Sequence, residues 1–487
     1  MLFNSYLFIF LFFPLSLAGY VGLNHIGKYK AASAFLFIMS LWFCGYANIF
    51  YPVVLLINIV LNYGIISLLS SKSGRKKKKF WLFTGILLNA GILLFLKYYN
   101  FFKENINIVF QTSLPVLKLI LPLGISFYTF QQISCLVDIY RGDCPRYGFW
   151  DYALSISFFP KLTQGPITLC DEIIPELQNP ENRKINYENL SRGIYSFALG
   201  LAKKVLIADS FSKIVNLGFG NIPELNTPSA ALVMVCYSLQ IYFDFSGYCD
   251  MALGIGSMLN IGLPINFNSP YKAVSVSDFW DRWHMTLTRF FTRYLYIPLG
   301  GSRRGKARTY LNTMIVFLVS GLWHGANWTF LLWGALHGIV MVIEKMTNIS
   351  SLKLPRWMKI GITFLLVTFA WSLFRADSIQ DARLLWQQLF HGGFGSLYQP
   401  ITDTFQELIE ISFLYRLGLG GVMSSYPWLA VTIFTLITLF CCFTMKNTQE
   451  KIEHFTLSGK KLLTVVVLLF WSILSLSEIT EFLYFNF

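Results

Sequence analysis

The chain has 487 residues, of which 55% are hydrophobic, 17% aromatic and only 13% charged. That composition excludes a water-soluble fold and points to a protein whose solvent is a bilayer. The formal charge of +14 does not indicate nucleic-acid binding, because the Lys and Arg excess gathers in short loops between apolar runs, where it reports orientation in a membrane.

Crossing a hydrocarbon core of about 30 Å takes roughly 20 helical residues. Apolar runs of this kind occupy residues 2–23, 31–47, 51–69, 80–96, 114–137, 428–443 and 462–482. Runs at 194–207, 229–242, 310–322, 330–343 and 360–374 are shorter or carry polar residues and glycines, which predicts tilted, broken or buried helices. The first run ends near Ser16, Ala18 and Gly19 as a secretion signal would, but no positive charge precedes Lys28, so it reads as a retained first helix. Lys28, Lys30, Lys72 and the basic run 75–79 predict cytoplasmic loops, as do Arg141, Arg146 and the basic stretches 302–308 and 446–461. Both termini are then expected outside the cytoplasm.

No repeat or low-complexity segment interrupts the chain, so 1–487 reads as a single all-α, polytopic membrane domain. Residues 1–120 are dense in Leu, Ile and Phe and read as peripheral helices facing lipid. Residues 121–345 mix aromatics with Gly, Pro, Asp, Arg and His, an intramembrane polarity that asks for a function, and read as a catalytic core. Residues 346–487 return to spanning helices around a polar stretch near 377–400. The segment 169–190 reads as a loop or interfacial helix. The segment 272–308, with eight positive and two negative residues among Phe, Trp and Tyr, reads as interfacial and re-entrant structure.

Eight cysteines include no CxxC pair, which argues for apolar packing rather than a disulfide scaffold or zinc site. No serine-hydrolase GxSxG elbow is present. Of six histidines, His284, His324 and His337 fall in the aromatic middle region. His324 lies in the run SGLWHGANW from Ser320 to Trp328, where Gly321 and Gly325 permit close approach and a helix break beside Trp323. Shielded by aromatics, its imidazole is neutral and suited to take a proton from a hydroxyl; the structural alternative is a core histidine bonded between helices. His284 lies in DFWDRWHMTLTR, 278–289, where helical spacing puts Trp280, His284 and Leu287 on one face and Arg282 and Arg289 on another. An interfacial anchor helix would have the same pattern. His337, thirteen residues after His324, reads as a packing residue. Neither HExxH spacing nor a thiolate accompanies these histidines, so no metal is expected. Asp244, Ser246, Tyr248 and Asp250 form a polar cluster that lines a cavity, binds substrate, braces His324 or simply makes structural hydrogen bonds.

With these residues in view, the sequence resembles the membrane-bound O-acyltransferase family, in its alginate and peptidoglycan O-acetyltransferase branch. The resemblance runs through LPLGISFYTFQQ (121–132), VDIYRG (137–142), QGPI (164–167), FDFSGYCD (243–250), NFNSPY (266–271, with Asn266 and Tyr271), FWDRWHMTLT (279–288, with Trp280 and Trp283), YLYIPLGG (294–301) and GLWHGANW (321–328, with Asn327). Asp281, Cys135 and Cys249 depart from the expected pattern. The resemblance implies a ring of roughly 10–13 membrane helices around a central funnel or tunnel, with interfacial elements, and it matches His324 and His284 to the family's two catalytic histidines. It also implies an acyl donor from the cytoplasm, expected to be acetyl-CoA with no tightly bound cofactor, and a polysaccharide acceptor from the opposite side. Arg282, Arg289, Arg293, Arg303, Arg304 and Lys306 are candidates for the donor's phosphates, although orientation bias explains the same charges. A separate serine-hydrolase-like (SGNH-like) extracytoplasmic acetyltransferase is the implied partner, in a bacterial cytoplasmic membrane. Two rivals stand beside this reading: D-alanyl transfer from a carrier protein toward teichoic acid, and a membrane transporter, against which no repeat relating two halves is found.

Overall fold

A computed structural model describes residues 1–71, 77–347, 353–408, 411–412, 415–476 and 482–483. Most of the basic loop from Lys72, and the end of the 462–482 run, therefore lie outside the described residues. The long helices, labelled in chain order, are α1 (Phe13–His25), α2 (Tyr29–Gly45), α3 (Phe50–Ser70), α4 (Lys78–Phe110), α5 (Ile125–Arg141), α6 (Tyr187–Ala202), α7 (Thr227–Met258), α8 (Lys306–His324), α9 (Trp328–Thr347), α10 (Arg356–Arg375), α11 (Pro427–Thr444) and α12 (Gly459–Leu474). Among the described residues there is no β-strand, only an isolated antiparallel bridge between Phe267 and Trp283. Seven helices among the described residues are long and apolar enough to cross a membrane by length and composition, in keeping with an all-α polytopic protein.

Burial separates the outer helices from the axis. In α7 83% of the apolar window is buried, against 17% in α4. α7 earns its central place through glycine. Gly193 and Gly200 on α6 face Gly254 and Gly247 on α7, each pair spaced seven residues along its helix. A methyl group on Gly200 would stand 2.6 Å from the Gly247 carbonyl oxygen, and one on Gly193 2.5 Å from that of Gly254. Backbones approach this closely only where both faces lack a Cβ, and in lipid such contact is a main source of helix association. Gly321 of α8 and Gly334 of α9 repeat the device, each abutting a carbonyl of the other helix, which brings α9 against the end of α8 that carries His324.

The structure corrects the apolar run 114–137. It is not one span: α4 continues to Phe110, and residues 111–124 form an extended strap before α5 begins at Ile125. The strap folds back along α4, where Asn100 Nδ2 donates to the Leu117 carbonyl at 2.8 Å and Asn107 Oδ1 accepts from the Leu114 N–H at 2.9 Å. Pro115 and Pro122 interrupt helix formation. Gly124 adopts φ +74°, and a Cβ there would strike the Leu162 carbonyl. The run 229–242, in contrast, is part of a 32-residue helix.

Candidate functional site

Two helices that start at basic segments converge on the site. α4 begins at Lys78 and α8 at Lys306, and after roughly 27–29 Å of helix each they meet where Lys97 and Tyr98 touch the last carbonyls of α8. α8 stops at His324 because Gly325 is extended, the break that its glycine-bracketed sequence predicts. The His324 ring is buried against Trp323, Trp333 and Phe374 at 4.9, 5.2 and 5.2 Å between centroids.

His284 arrives by a different route. The reading of Trp280, His284 and Leu287 on one helical face is corrected here, since Val276–Trp280 and Met285–Phe291 are separate short helices and His284 between them is left-handed, with φ +46°. A non-glycine residue in that region stores about 1–3 kcal/mol of strain and persists only where its surroundings hold it. The hold is Asn266, whose carbonyl accepts the Met285 N–H at 3.0 Å. Its side-chain Oδ1 accepts from the Thr286 N–H at 3.2 Å and the Thr286 hydroxyl at 2.8 Å. A backbone N–H can only donate, so the Asn266 atom facing it is the oxygen. His284 Nδ1, 3.2 Å from that same oxygen, therefore carries the proton, and Nε2 keeps its lone pair. Nε2 is buried and has no hydrogen-bond partner among the described residues.

The two imidazoles share one wall. The Trp323 ring lies 4.9 Å from His324 and 6.2 Å from His284, and packs on Phe127 and Phe130. These rings belong to a small apolar cluster with Ile167, Leu287, Phe290 and Phe291. Trp323 and Phe127 of this cluster also line a cavity of about 550 Å³, together with His324, Thr163, Lys97 and residues 121–126. Two further cavities of about 250 and 410 Å³ adjoin each other, sharing Trp280, Asp281, Thr288 and Thr292. The smaller is lined by Leu287, Phe291, Ser320 and Lys345, the larger by Arg289 and Arg293.

The remaining sequence candidates divide by place. Trp280 lines both of these adjoining cavities, and its indole N–H donates to His337 Nδ1 at 3.3 Å, so His337 packs and orients. Arg282 and Arg289 lie near those cavities but are paired with Asp278 and Glu172, and Arg293 reaches Asp138 and Asp143. Tyr248 bonds Thr163, a wall residue of the 550 Å³ cavity, at 2.6 Å. Ser246 and Asn266 border a minor crevice of about 10 Å³. Asp244 does not brace His324: its carboxylate accepts from Lys204 at 2.7 Å and from the Leu483 N–H at 3.0 Å, with Asp209 on the same ammonium. Asp250 pairs with Lys203 at 2.6 Å. Tyr271 donates to the Ser238 carbonyl, Trp283 packs on Trp371 and Phe279, and Asn327 Oδ1 accepts the Thr329 N–H at the start of α9. No group of three or more His, Cys, Asp or Glu able to hold a metal occurs among the described residues. Lys97 and Tyr98 escape a sequence reading because they follow the apolar run 80–96 as an ordinary interfacial end; the available signal is a lone cation bordering that run.

Residues 145–378 match the model of the membrane-bound O-acyltransferase family. A peptidoglycan O-acetyltransferase of Helicobacter pylori is 36% identical over 100% of this chain and 98% of its own length. A probable alginate O-acetylase of Pseudomonas aeruginosa is 34% identical over 81% of this chain and 75% of its own. A teichoic acid D-alanyltransferase of Streptococcus thermophilus is 28% identical over 46% of this chain and 56% of its own.

Proposed function

The chain belongs to the membrane-bound O-acyltransferase family and is an O-acyltransferase, and from that premise we propose that it passes an acetyl group from cytoplasmic acetyl-CoA toward an exported or cell-wall polysaccharide. The observation that carries the reading is the Trp323 ring shared by His324 and His284, in an apolar cluster that lines the 550 Å³ cavity through Trp323 and Phe127 and the 250 Å³ cavity through Leu287 and Phe291. The donor enters from the side of the basic segments, where Lys345 lines the cavity and Arg303, Arg304 and Lys306 precede or open α8. Arg282 and Arg289 serve the phosphates by exchanging a carboxylate for them. The thioester reaches past Leu287 and Phe291 and beside Trp323 to His324.

His324 takes the proton of the attacking hydroxyl as general base. His284, held by Asn266 with its Nε2 lone pair free to accept, orients the second polar group of the reacting pair. A serine-hydrolase-type acetyltransferase outside the cytoplasmic membrane completes delivery to the glycan. Support for the acetyl branch comes from the full-length likeness to a protein named for peptidoglycan O-acetylation, against partial likeness to the D-alanyltransferases.

The test is transfer of labelled acetyl from acetyl-CoA by purified protein in proteoliposomes, with His324→Ala and His284→Ala beside the wild type and the extracytoplasmic partner added or omitted. Transfer by the wild type that vanishes in the His324 variant supports the reading. Transfer from a D-alanyl carrier protein alone replaces acetyl by aminoacyl, and ion flux without acyl transfer overturns it.

A further inference from the structure

Lys97 closes an otherwise apolar stretch of α4, and its ammonium is held in place by the site. Nζ donates to the Trp323 carbonyl at 2.7 Å and to the His324 carbonyl at 3.1 Å, and the neighbouring Tyr98 hydroxyl donates to the Leu322 carbonyl at 2.6 Å. The last four carbonyls of a helix have no partner within it, so α4 receives three that α8 leaves open. A cation at the C-terminal end of a helix is also stabilised by the helix dipole.

The cap does not exhaust the ammonium. It carries three N–H groups, two of which meet these carbonyls. Lys97 is only partly buried and lines the 550 Å³ cavity together with His324. Among the described residues no Asp or Glu lines that cavity and Lys97 makes no salt bridge. In its ammonium form Lys97 therefore keeps, beside His324, one N–H beyond the two that meet the α8 carbonyls, on a side chain that lines the space where acyl transfer would occur.

We propose that Lys97 is a further catalytic residue, which binds the oxyanion formed on the acyl carbonyl during transfer; this rests on the acyl-transfer reading above. In the step, the acceptor hydroxyl gives its proton to the His324 imidazole as its oxygen bonds to the carbonyl carbon. The carbonyl π pair moves onto oxygen, and that anion takes the third N–H of Lys97. Collapse re-forms the C=O bond and breaks the C–S bond, and the departing thiolate takes the proton from the imidazolium. A preorganised donor aimed at a developing charge is worth about 10²–10³ in kcat, whereas a cap alone acts through the fold.

The experiment compares kcat and KM for labelled acetyl transfer from acetyl-CoA in proteoliposomes by wild type, Lys97→Met, Lys97→Arg, Lys97→Cys and Tyr98→Phe, with His324→Ala as the inactive reference. The expected result is a fall in kcat of about 10²–10³-fold for Lys97→Met with KM within about threefold, a smaller fall for Lys97→Arg, and Tyr98→Phe within about threefold of wild type. Attaching an aminoethyl group to Lys97→Cys through its thiol restores the amine and should raise kcat at least tenfold; the native cysteines are buried apart from the half-buried Cys441. This rescue arm decides the matter if Lys97→Met fails to fold. Lys97→Met within threefold of wild type, or Lys97→Cys unimproved by the amine, overturns the inference while leaving the acyltransferase reading intact. A wild type that transfers no acetyl takes both down.

Discussion

Two buried polar centres sit within this bundle, and they are built on opposite principles. Around α7, Lys204 lies between Asp244 and Asp209, and Lys203 between Asp250 and Thr448, so every charge has a counter-charge or hydroxyl at hydrogen-bond distance. Around Trp323, His284 has one nitrogen fixed by Asn266 and the other without a partner, and the ring beside it borders a cavity. A closed centre gives up its polarity to architecture. A centre that holds donors and acceptors in place without satisfying them is prepared for a molecule that will.

That comparison can be broken at four points, in order of expected effect. Replacing His324 by Ala should lower acetyl transfer by about 10³-fold or more, while the melting temperature of the detergent-solubilised protein stays close to wild type; a transfer rate within tenfold of wild type would remove it from the chemistry. Lys204→Met should do the reverse, costing about 3–5 kcal/mol of stability by stranding two carboxylates, read as lost expression or a lower unfolding midpoint. The double change Lys204→Met with Asp244→Leu should recover part of that loss, and no recovery would mean the pair is not the unit described here. Asn266→Leu should cost about 10–100-fold in kcat, because it releases the His284 tautomer and ring orientation that a hydrogen-bonded partner sets; unchanged kcat in a folded variant would make the Asn266 contact ornamental. Tyr248→Phe, which deletes one hydrogen bond to Thr163, should cost about 0.5–1.5 kcal/mol of stability and leave the transfer rate within about twofold.

Much of this architecture was legible in the chain itself. A histidine flanked by glycines and tryptophans in an apolar run announces both the helix break at Gly325 and the shielded imidazole. The misreadings have physical causes. Periodicity from Trp280 through Leu287 supports one helix, but the Asn266 hydrogen bonds come from a segment eighteen residues earlier and hold His284 left-handed, an override that spacing alone does not display. The run 114–137 is apolar enough to span, yet its prolines and the left-handed Gly124 keep the first part extended along α4. Asp244 and Lys204 stand 40 residues apart in sequence, and Lys97 stands 227 from His324. Nothing local in either case tells which charge will be neutralised and which will be left facing a cavity.

The apolar wall of Phe127, Phe130, Ile167, Leu287, Phe290, Phe291 and Trp323 bears on the energetics of the cell as well as on the reaction. None of those seven side chains is ionisable, and an unpaired ion in such surroundings faces a desolvation penalty of tens of kcal/mol in the Born limit, whereas an uncharged acetyl ester or thioester does not. The same rings that flank the two imidazoles therefore form a barrier that a neutral group crosses at far lower cost than a proton or a sodium ion.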